Sequence, residues 1–256
     1  MKISSAIVGQ EVGPDTQRID KRWLMAYNAA LGEVSDRPHP LFPVCYEWPA
    51  THALRVATGL QDVNARLVHA QHDSVSHREA LPGDVLSVTA KVVAAVQRSP
   101  GAFVVFRLEA RAGSEPVSTT HYGMLYRGVT LDGADRGSVE DPPQHNQALP
   151  LAGTFPVAAT AGHVYTECAR IWNPIHTDPE YARAAGLPGI ILHGTATLAL
   201  SVSQLTKAVK RVRCRFAGMV FMPSTLSVHA SRVGDEILFE TRDASGAPVI
   251  ERGRIG

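Results

Sequence analysis

Cysteines are scarce in this 256-residue sequence, and the three that occur lie far apart. Cys45, Cys168 and Cys214 form no C-x-x-C pair, so their spacing indicates neither a cysteine zinc site nor a disulfide scaffold. An odd number of separated cysteines fits a reducing compartment. We therefore expect a cytoplasmic protein.

Long apolar runs are also missing. No stretch approaches the ~18 apolar residues that a membrane span needs, and the first nine residues lack the apolar core of a signal peptide. The 25 basic and 24 acidic residues are intermixed and give a formal net charge of +1. We expect no membrane partner and no nucleic-acid partner, because neither a basic patch nor an apolar anchor is visible.

The two halves of the chain carry similar patterns of strand and turn residues. Gly83-Asp84 precedes a β-branched run in the first half, and Gly234-Asp235 precedes one in the second. Each half continues to a glycine-containing turn followed by Pro-Val. This repetition predicts a weak internal duplication with one unit in each half.

Helical periodicity precedes both strand-rich regions. A segment starting near Thr195 places four apolar residues on one face, which predicts an amphipathic helix packed on a sheet: Leu198, Val202, Leu205 and Val209. Residues 22–31 and 50–56 are the helix candidates of the first half. A helix followed by antiparallel strands, twice, indicates an α+β fold.

Residues 131–150 have little apolar periodicity and many turn-forming residues. They predict a linker between an N-terminal lobe of residues 1–130 and a C-terminal lobe of residues 151–256.

Polar residues are concentrated between Tyr165 and Gly194. Asn173-Pro174 predicts a turn that holds His176 in a defined direction, because proline fixes its own φ and restricts the residue before it. Thr177 or Asp178 is expected to cap a short helix through residues 180–185, with Pro179 at its first position.

His193 and Gly194 stand where the long amphipathic helix is predicted to begin. Free backbone N–H groups at a helix start suit a carbonyl oxygen that gains negative charge. A glycine at this position permits a close approach.

Asn173-Pro174-Ile175-His176, followed by Ile191-Leu192-His193-Gly194-Thr195, resembles the hydratase–dehydratase signature of the MaoC family, which includes (R)-specific enoyl-CoA hydratases. The resemblance continues more weakly over residues 226–250, and over 67–70 and 77–84 in the first half. It implies a double hot-dog fold, in which each of two lobes has an antiparallel sheet wrapped around a central helix. The C-terminal lobe then carries the catalytic residues, and the degenerate N-terminal lobe makes room for an acyl chain.

The resemblance also implies a hydro-lyase that acts on an acyl-CoA or acyl-carrier-protein thioester as a monomer or homodimer. His176 would be the principal acid–base group, Asn173 would orient water or the imidazole ring, and the Gly194 amide would donate to the oxyanion. His193, Trp172 and Thr195 would contact the substrate. No cofactor and no metal are expected, since the histidines of the first half lack a ligand pattern.

One position departs from the family pattern, in which an aspartate stands two residues before the asparagine. Ile171 occupies that position here, and losing one of two acid–base groups typically lowers a rate by ~10² to 10⁴. His176 would then act alone, or Glu167 or Asp178 would supply a replacement carboxylate.

Three functions remain open at this point. The first is hydration of a trans-2-enoyl thioester or dehydration of a 3-hydroxyacyl thioester. The second is a different one-base reaction, such as hydrolysis, isomerisation or conjugate addition in a biosynthetic pathway. The third is a non-catalytic hot-dog subunit that binds an acyl ligand.

Overall fold

The computed structural model describes residues 1–145 and 147–256. It divides into two compact units. The first comprises Met1–Arg18, Tyr46–Arg78 and Asp84–Asp141, and the second comprises Ile19–Cys45, Glu79–Gly83 and Pro142–Gly256. The division predicted from the sequence, with a linker over 131–150, stays a prediction; the early segment Ile19–Cys45 packs with the second unit.

Five α-helices occur among the described residues. In chain order they are α1 (Lys21–Ala30), α2 (Pro43–Ala57), α3 (Ala161–Ala169), α4 (Pro179–Ala184) and α5 (Gly194–Ser203). Short 3-10 turns occupy Ser5–Ile7, Leu60–Arg66 and Pro174–His176. The helices predicted over 22–31, 50–56 and 180–185 are confirmed as α1, part of α2 and α4.

Twelve strands are described. Those of the first unit are β1 (Lys2–Ser4), β2 (Glu11–Arg18), β3 (Leu67–Ser76), β4 (Val85–Arg98), β5 (Gly101–Ala112), β6 (Glu115–Arg127) and β7 (Thr130–Asp132). Those of the second unit are β8 (Leu151–Val157), β9 (Arg211–Phe216), β10 (Ser224–Val233), β11 (Glu236–Arg242) and β12 (Pro248–Ile255). The α+β class predicted from the sequence is confirmed.

Each unit contains a run of five antiparallel strands. The order is β2-β4-β5-β6-β3 in the first unit and β8-β10-β11-β12-β9 in the second, so corresponding strands occupy corresponding places. In addition, β1 and β7 form a short parallel pair in the first unit, which uses the first two residues of the predicted linker. The shared strand order confirms the predicted duplication at the level of topology.

Helix α5 buries an apolar face that includes Leu198, Ala199 and Val202. Its Ser201 hydroxyl lies 2.7 Å from the Thr241 hydroxyl of β11, which fixes the helix against the sheet of its own unit. The predicted start near Thr195 is confirmed.

The predicted continuation of this helix through Leu205 and Val209 is wrong, because α5 ends at Ser203. Just past that end, the Thr206 hydroxyl accepts a hydrogen bond from the Ala208 amide at 3.2 Å. Such a local side-chain bond offers the backbone an alternative to the helix ladder. The spacing of apolar residues gives no indication of this alternative hydrogen bond.

Helix α2 carries a carboxyl group into the interior of the first unit. Glu47 is fully buried, and its Oε1 accepts hydrogen bonds from the Ser118 and Thr120 hydroxyls at 3.0 and 2.7 Å. Its Oε2 accepts one from the Tyr122 phenol at 2.8 Å. Burial outweighs these three bonds and raises the pKa of Glu47 to about 7. All three donors lie on β6.

Candidate active site

His176 is held by a short turn between α3 and α4. The Asn173 side chain accepts a hydrogen bond from the Ile175 amide at 3.4 Å, and Pro174 begins the turn, so the Asn-Pro pair acts locally as the sequence predicts. Gly162 of α3 lies so close that a Cβ added there would stand 2.5 Å from the His176 carbonyl oxygen. The position of His176 therefore depends on a glycine in the neighbouring helix.

The segment before α5 supplies the hydrogen-bond partner of the His176 ring. Ile191 forms an isolated bridge with Phe221, and the Leu192 amide donates to the Val220 carbonyl at 2.8 Å. In this extended position, the Ile191 carbonyl oxygen lies 2.8 Å from Nδ1 of His176.

This contact defines the protonation of the His176 ring. Burial lowers the pKa of His176 to about 4, so the ring is neutral at pH 7. A carbonyl oxygen only accepts, and Nδ1 must therefore carry the proton that it donates to Ile191. The lone pair of the neutral ring is then on Nε2, which makes Nε2 the atom that can take a proton from water.

His193 stacks directly on His176. The two ring centroids are 3.6 Å apart with 26° between the planes, and His193 is only 3% exposed. Burial lowers the pKa of His193 well below its ordinary value, and proximity to His176 lowers it further. The stacked pair therefore holds at most one positive charge, because a second would be repelled in a poorly solvated setting.

The start of α5 lies immediately after this stacked pair. His193 is the N-cap residue, but no side chain caps the helix in the described part of the chain. The first intrahelical bond runs from the Thr197 amide to the His193 carbonyl, which leaves the amides of residues 194–196 without an intrahelical partner. A Cβ on Gly194 would stand 3.3 Å from the Phe216 ring, so this position favours glycine.

Two residues of α3 complete the surroundings of the stacked histidines. The Tyr165 phenol is 3.2 Å from the Thr195 hydroxyl, and its ring centroid is 4.9 Å from that of His193. The Thr166 hydroxyl is 3.4 Å from Nε2 of His193. Neither residue belongs to the motif; the buried positions Tyr165, Thr166 and Ala169 share one face of α3, and only this helical spacing hints at them.

The structure does not support a replacement carboxylate. Ile171 is 5% exposed, and its amide donates to the Thr166 carbonyl at the end of α3. Glu167 lies within the same helix and is exposed, so the extended backbone that would place it on a shared face with Ile171 is absent from this stretch. Asp178 caps α4 by accepting from the Glu180 and Tyr181 amides at 2.8 and 3.1 Å.

The predicted site residues thus fall into two groups. His176, His193, Gly194 and Thr195 come together in one continuous cluster. The Asn173 side chain bonds to the Ile175 amide of its own turn, whereas the Trp172 side chain is 61% exposed. Among residues 1–145 and 147–256, no cluster of three or more histidine, cysteine or acidic side chains is arranged to hold a metal ion.

Comparison with known proteins identifies the stretch that contains this cluster. The family model described as "MaoC like domain" matches residues 142–251. This stretch is a MaoC-like domain. It includes α3, α4 and α5 together with the stacked histidines, and it agrees with the resemblance inferred from the motif.

Two curated relatives of the MaoC-like domain are enoyl-CoA hydratases. A peroxisomal enoyl-CoA hydratase 2 of Arabidopsis thaliana is 35% identical over 79 residues, which are 28% of this chain and 26% of that protein. The enoyl-CoA hydratase ChsH3 of Mycobacterium tuberculosis is 30% identical over 142 residues, or 49% of each protein. The chain thus spans between about a quarter and a half of these two relatives.

Solved structures extend the comparison beyond the MaoC-like domain. A MaoC-like dehydratase from Phytophthora capsici superposes with a TM-score of 0.83 at 22% identity, covering 96% of this chain and 95% of that one. A Mycobacterium tuberculosis protein described as having a double hot-dog fold superposes with a TM-score of 0.65 at 14% identity, covering 97% and 95%. The predicted double hot-dog fold is therefore confirmed. No helix in the described part of the chain is long and apolar enough to cross a membrane.

Proposed function

We propose that this protein hydrates trans-2-enoyl thioesters and, in reverse, dehydrates 3-hydroxyacyl thioesters, with His176 as its acid–base residue. The observation that carries the proposal is the His176 tautomer. Its Nδ1 proton is committed to the Ile191 carbonyl, so Nε2 is left as a base next to a helix start with unpaired amides. The hydratase names of the relatives support the same substrate class.

Hydration needs two proton movements, and one imidazole can perform both. Nε2 takes a proton from water as the water oxygen bonds to C3, and the C2=C3 electrons move to form an enolate at the thioester. The proton on Nε2 then passes to C2, so that H and OH have been added across the double bond. The Nδ1–H bond to Ile191 supports the imidazolium while it exists.

The enolate oxygen needs hydrogen-bond donors. The amides of Gly194 and Thr195 at the start of α5 are free of intrahelical bonds, and the helix dipole places partial positive charge there. Loss of one such donor typically slows a reaction by about 10² to 10³.

The test is hydration of crotonyl-CoA and longer trans-2-enoyl-CoAs, followed as loss of absorbance of the conjugated double bond. We expect turnover by the parent protein and a loss of at least about 10²-fold in His176→Gln, which keeps a polar side chain but not the base. His52→Gln, which removes an exposed histidine from α2, is the matched control and should keep full activity.

A second function is favoured by the isoleucine at the aspartate position. If the parent protein is inactive on every enoyl-CoA while it still binds them, the hydratase proposal is wrong. The chain would then be an acyl-thioester-binding protein, or would run a different one-base reaction, in which case a product other than the 3-hydroxyacyl thioester should appear.

A further inference from the structure

Three hydroxyl groups form a chain behind the start of α5. The Tyr27 phenol of α1 lies 3.2 Å from the Leu41 carbonyl oxygen and 3.3 Å from the Tyr165 phenol. The Tyr165 phenol in turn lies 3.2 Å from the Thr195 hydroxyl. Tyr27 and Tyr165 are buried and Thr195 is partly exposed, so the chain leads from the protein interior to the candidate active site.

Each hydroxyl can donate only one proton, so the direction of the bond between Tyr165 and Thr195 decides where the Thr195 proton can point. In the inward arrangement, Thr195 donates to Tyr165, Tyr165 to Tyr27, and Tyr27 to the Leu41 carbonyl. In the outward arrangement, which has the donor direction found in the structure, Tyr165 donates to Thr195, and Tyr27 donates either to the Leu41 carbonyl or to Tyr165. The Thr195 proton is then free to point toward a ligand.

The outward arrangement leaves no buried group without a partner. When Tyr27 turns away, the Leu41 carbonyl still accepts a hydrogen bond from the Val44 amide at 3.3 Å. A buried acceptor without a hydrogen bond is unfavourable, and this second bond prevents that situation. Burial also raises the pKa of Tyr165 above its ordinary value, so the phenol keeps its proton at neutral pH.

We propose that Thr195 is a further catalytic residue, whose hydroxyl donates a hydrogen bond to the thioester oxygen as that oxygen gains charge, and that Tyr165 is the positioning residue that directs its proton outward. This inference rests on the proposed function, because it places a third donor beside the Gly194 and Thr195 amides. It adds a side-chain donor to a site that lacks the aspartate of the family pattern.

The kinetic test is a double-mutant cycle on enoyl-CoA hydration. Thr195→Val keeps the shape but removes the donor, and should lower kcat by about 10²-fold. Tyr165→Phe removes only the phenol oxygen, and should lower kcat by about tenfold with little change in KM. Thr195→Ser should recover most of the rate lost in Thr195→Val.

The double variant separates positioning from simple structural support. If Tyr165 acts through Thr195, then Tyr165→Phe has no further effect in the Thr195→Val background, because coupled residues are not additive. Additive losses, or an unchanged kcat in Thr195→Val, would overturn the inference. Tyr46→Phe, which removes a different buried phenol oxygen that bonds to Ser118, is the matched control for stability and should leave kcat unchanged.

A spectroscopic readout keeps this inference distinct from the proposed function. Crotonyl-CoA labelled with carbon-13 at the thioester carbon is bound to the His176→Ala protein, and the carbonyl stretching frequency is measured by infrared difference spectroscopy. We expect a downshift that is lost when Thr195→Val is added and reduced when Tyr165→Phe is added.

The hydration kinetics and the infrared shift together distinguish failure of the hydratase proposal from failure of the Thr195 inference. A Thr195-dependent shift without turnover by the parent protein supports the hydrogen bond and refutes the hydratase proposal. Turnover that depends on His176, with a shift that is indifferent to Thr195, refutes the inference alone. Failure of the protein to bind the thioester refutes both.

Discussion

At the scale of single residues, the neutral His176 ring has a direct kinetic consequence. Burial lowers the pKa of His176 to about 4, so Nε2 stays unprotonated until the pH falls close to that value. An ordinary histidine, with a pKa of about 6.5, would lose its base function well before that.

We therefore expect kcat/KM for hydration to be nearly flat between about pH 5.5 and 8, with the acid limb near pH 4, since a general base fails only when it is protonated. The pH–rate profile measures this directly. Circular dichroism at each pH shows whether the fold persists, and an acid limb near pH 6.5 in a folded protein would contradict the expectation.

Ile171 offers a second residue-scale prediction. The Ile171→Asp substitution places a carboxyl group at the family's aspartate position, and we expect hydration to become at least about tenfold faster, because a second acid–base group typically contributes about 10² or more. Burying a carboxyl there should also lower the melting temperature.

Ile171→Asn is the matched control, since asparagine has nearly the same shape but cannot transfer a proton at this pH. It should show the lower melting temperature without the gain in rate. Equal rates in the two variants would mean that the backbone does not present position 171 to the reacting atoms.

At the scale of secondary-structure elements, the distance between α3 and the His176 turn depends on Gly162. A methyl group at this position would stand 2.5 Å from the His176 carbonyl oxygen and 2.8 Å from the Met222 side chain, so the backbone must shift. Overpacking of this kind typically costs about 1–3 kcal/mol.

We expect Gly162→Ala to lower kcat by at least about tenfold, because a shift of the His176 backbone by about 1 Å is enough to misalign a catalytic base. Gly189→Ala is the matched control: it lies in the same domain, and a Cβ there meets nothing within 4 Å. If both variants keep full kcat, the turn tolerates movement and the close approach does not matter for catalysis.

Local patterns predict some of these elements well and others not at all. The turn at Asn173 and the Asp178 cap follow from residues that are neighbours in sequence, and both are confirmed. The contact between Tyr27 and Tyr165 joins residues 138 positions apart, and no periodicity in either helix indicates it. The His176 tautomer depends in the same way on the Ile191 carbonyl, whose place is set by tertiary structure.

The end of α5 is a feature that the apolar pattern predicts wrongly. The apolar spacing continues through Val209, but α5 ends at Ser203. Past that end, the Thr206 hydroxyl accepts a hydrogen bond from the Ala208 amide. Beyond the helix, Lys207 pairs with Glu33, which also accepts a hydrogen bond from Ser203 at 2.5 Å. Tertiary partners of this kind override a periodic pattern.

At the scale of the whole molecule, stability should depend on pH through Glu47. Folding raises the pKa of this carboxyl from an ordinary value of 4.5 to about 7. Between those values the folded chain keeps a proton that the unfolded chain has released, so stability falls as the pH rises. The expected loss across this interval is about 3 kcal/mol.

Glu47→Gln cannot ionise, and should therefore lack this loss. We expect the free energy of unfolding of the variant, relative to the parent, to rise by about 3 kcal/mol between pH 4.5 and 7.5 in denaturant titrations. The comparison cancels the opposite contribution of the buried histidines, which is common to both proteins. Glu180→Gln, at an exposed position in α4, is the control, and its free energy of unfolding should change with pH as that of the parent does. The same change with pH in Glu47→Gln would refute the expectation.

Trp172 provides the molecule with an optical reporter. It is 61% exposed and directly precedes Asn173, whereas Trp23 is 2% exposed beneath the Arg170 guanidinium and Trp48 is partly buried. Iodide should therefore quench the fluorescence of Trp172 far more than that of the other two, and a Trp172→Phe variant measures its share. A ligand that covers the turn shields this indole from the quencher. Fluorescence can thus rank thioesters of different chain length by affinity before any turnover is known.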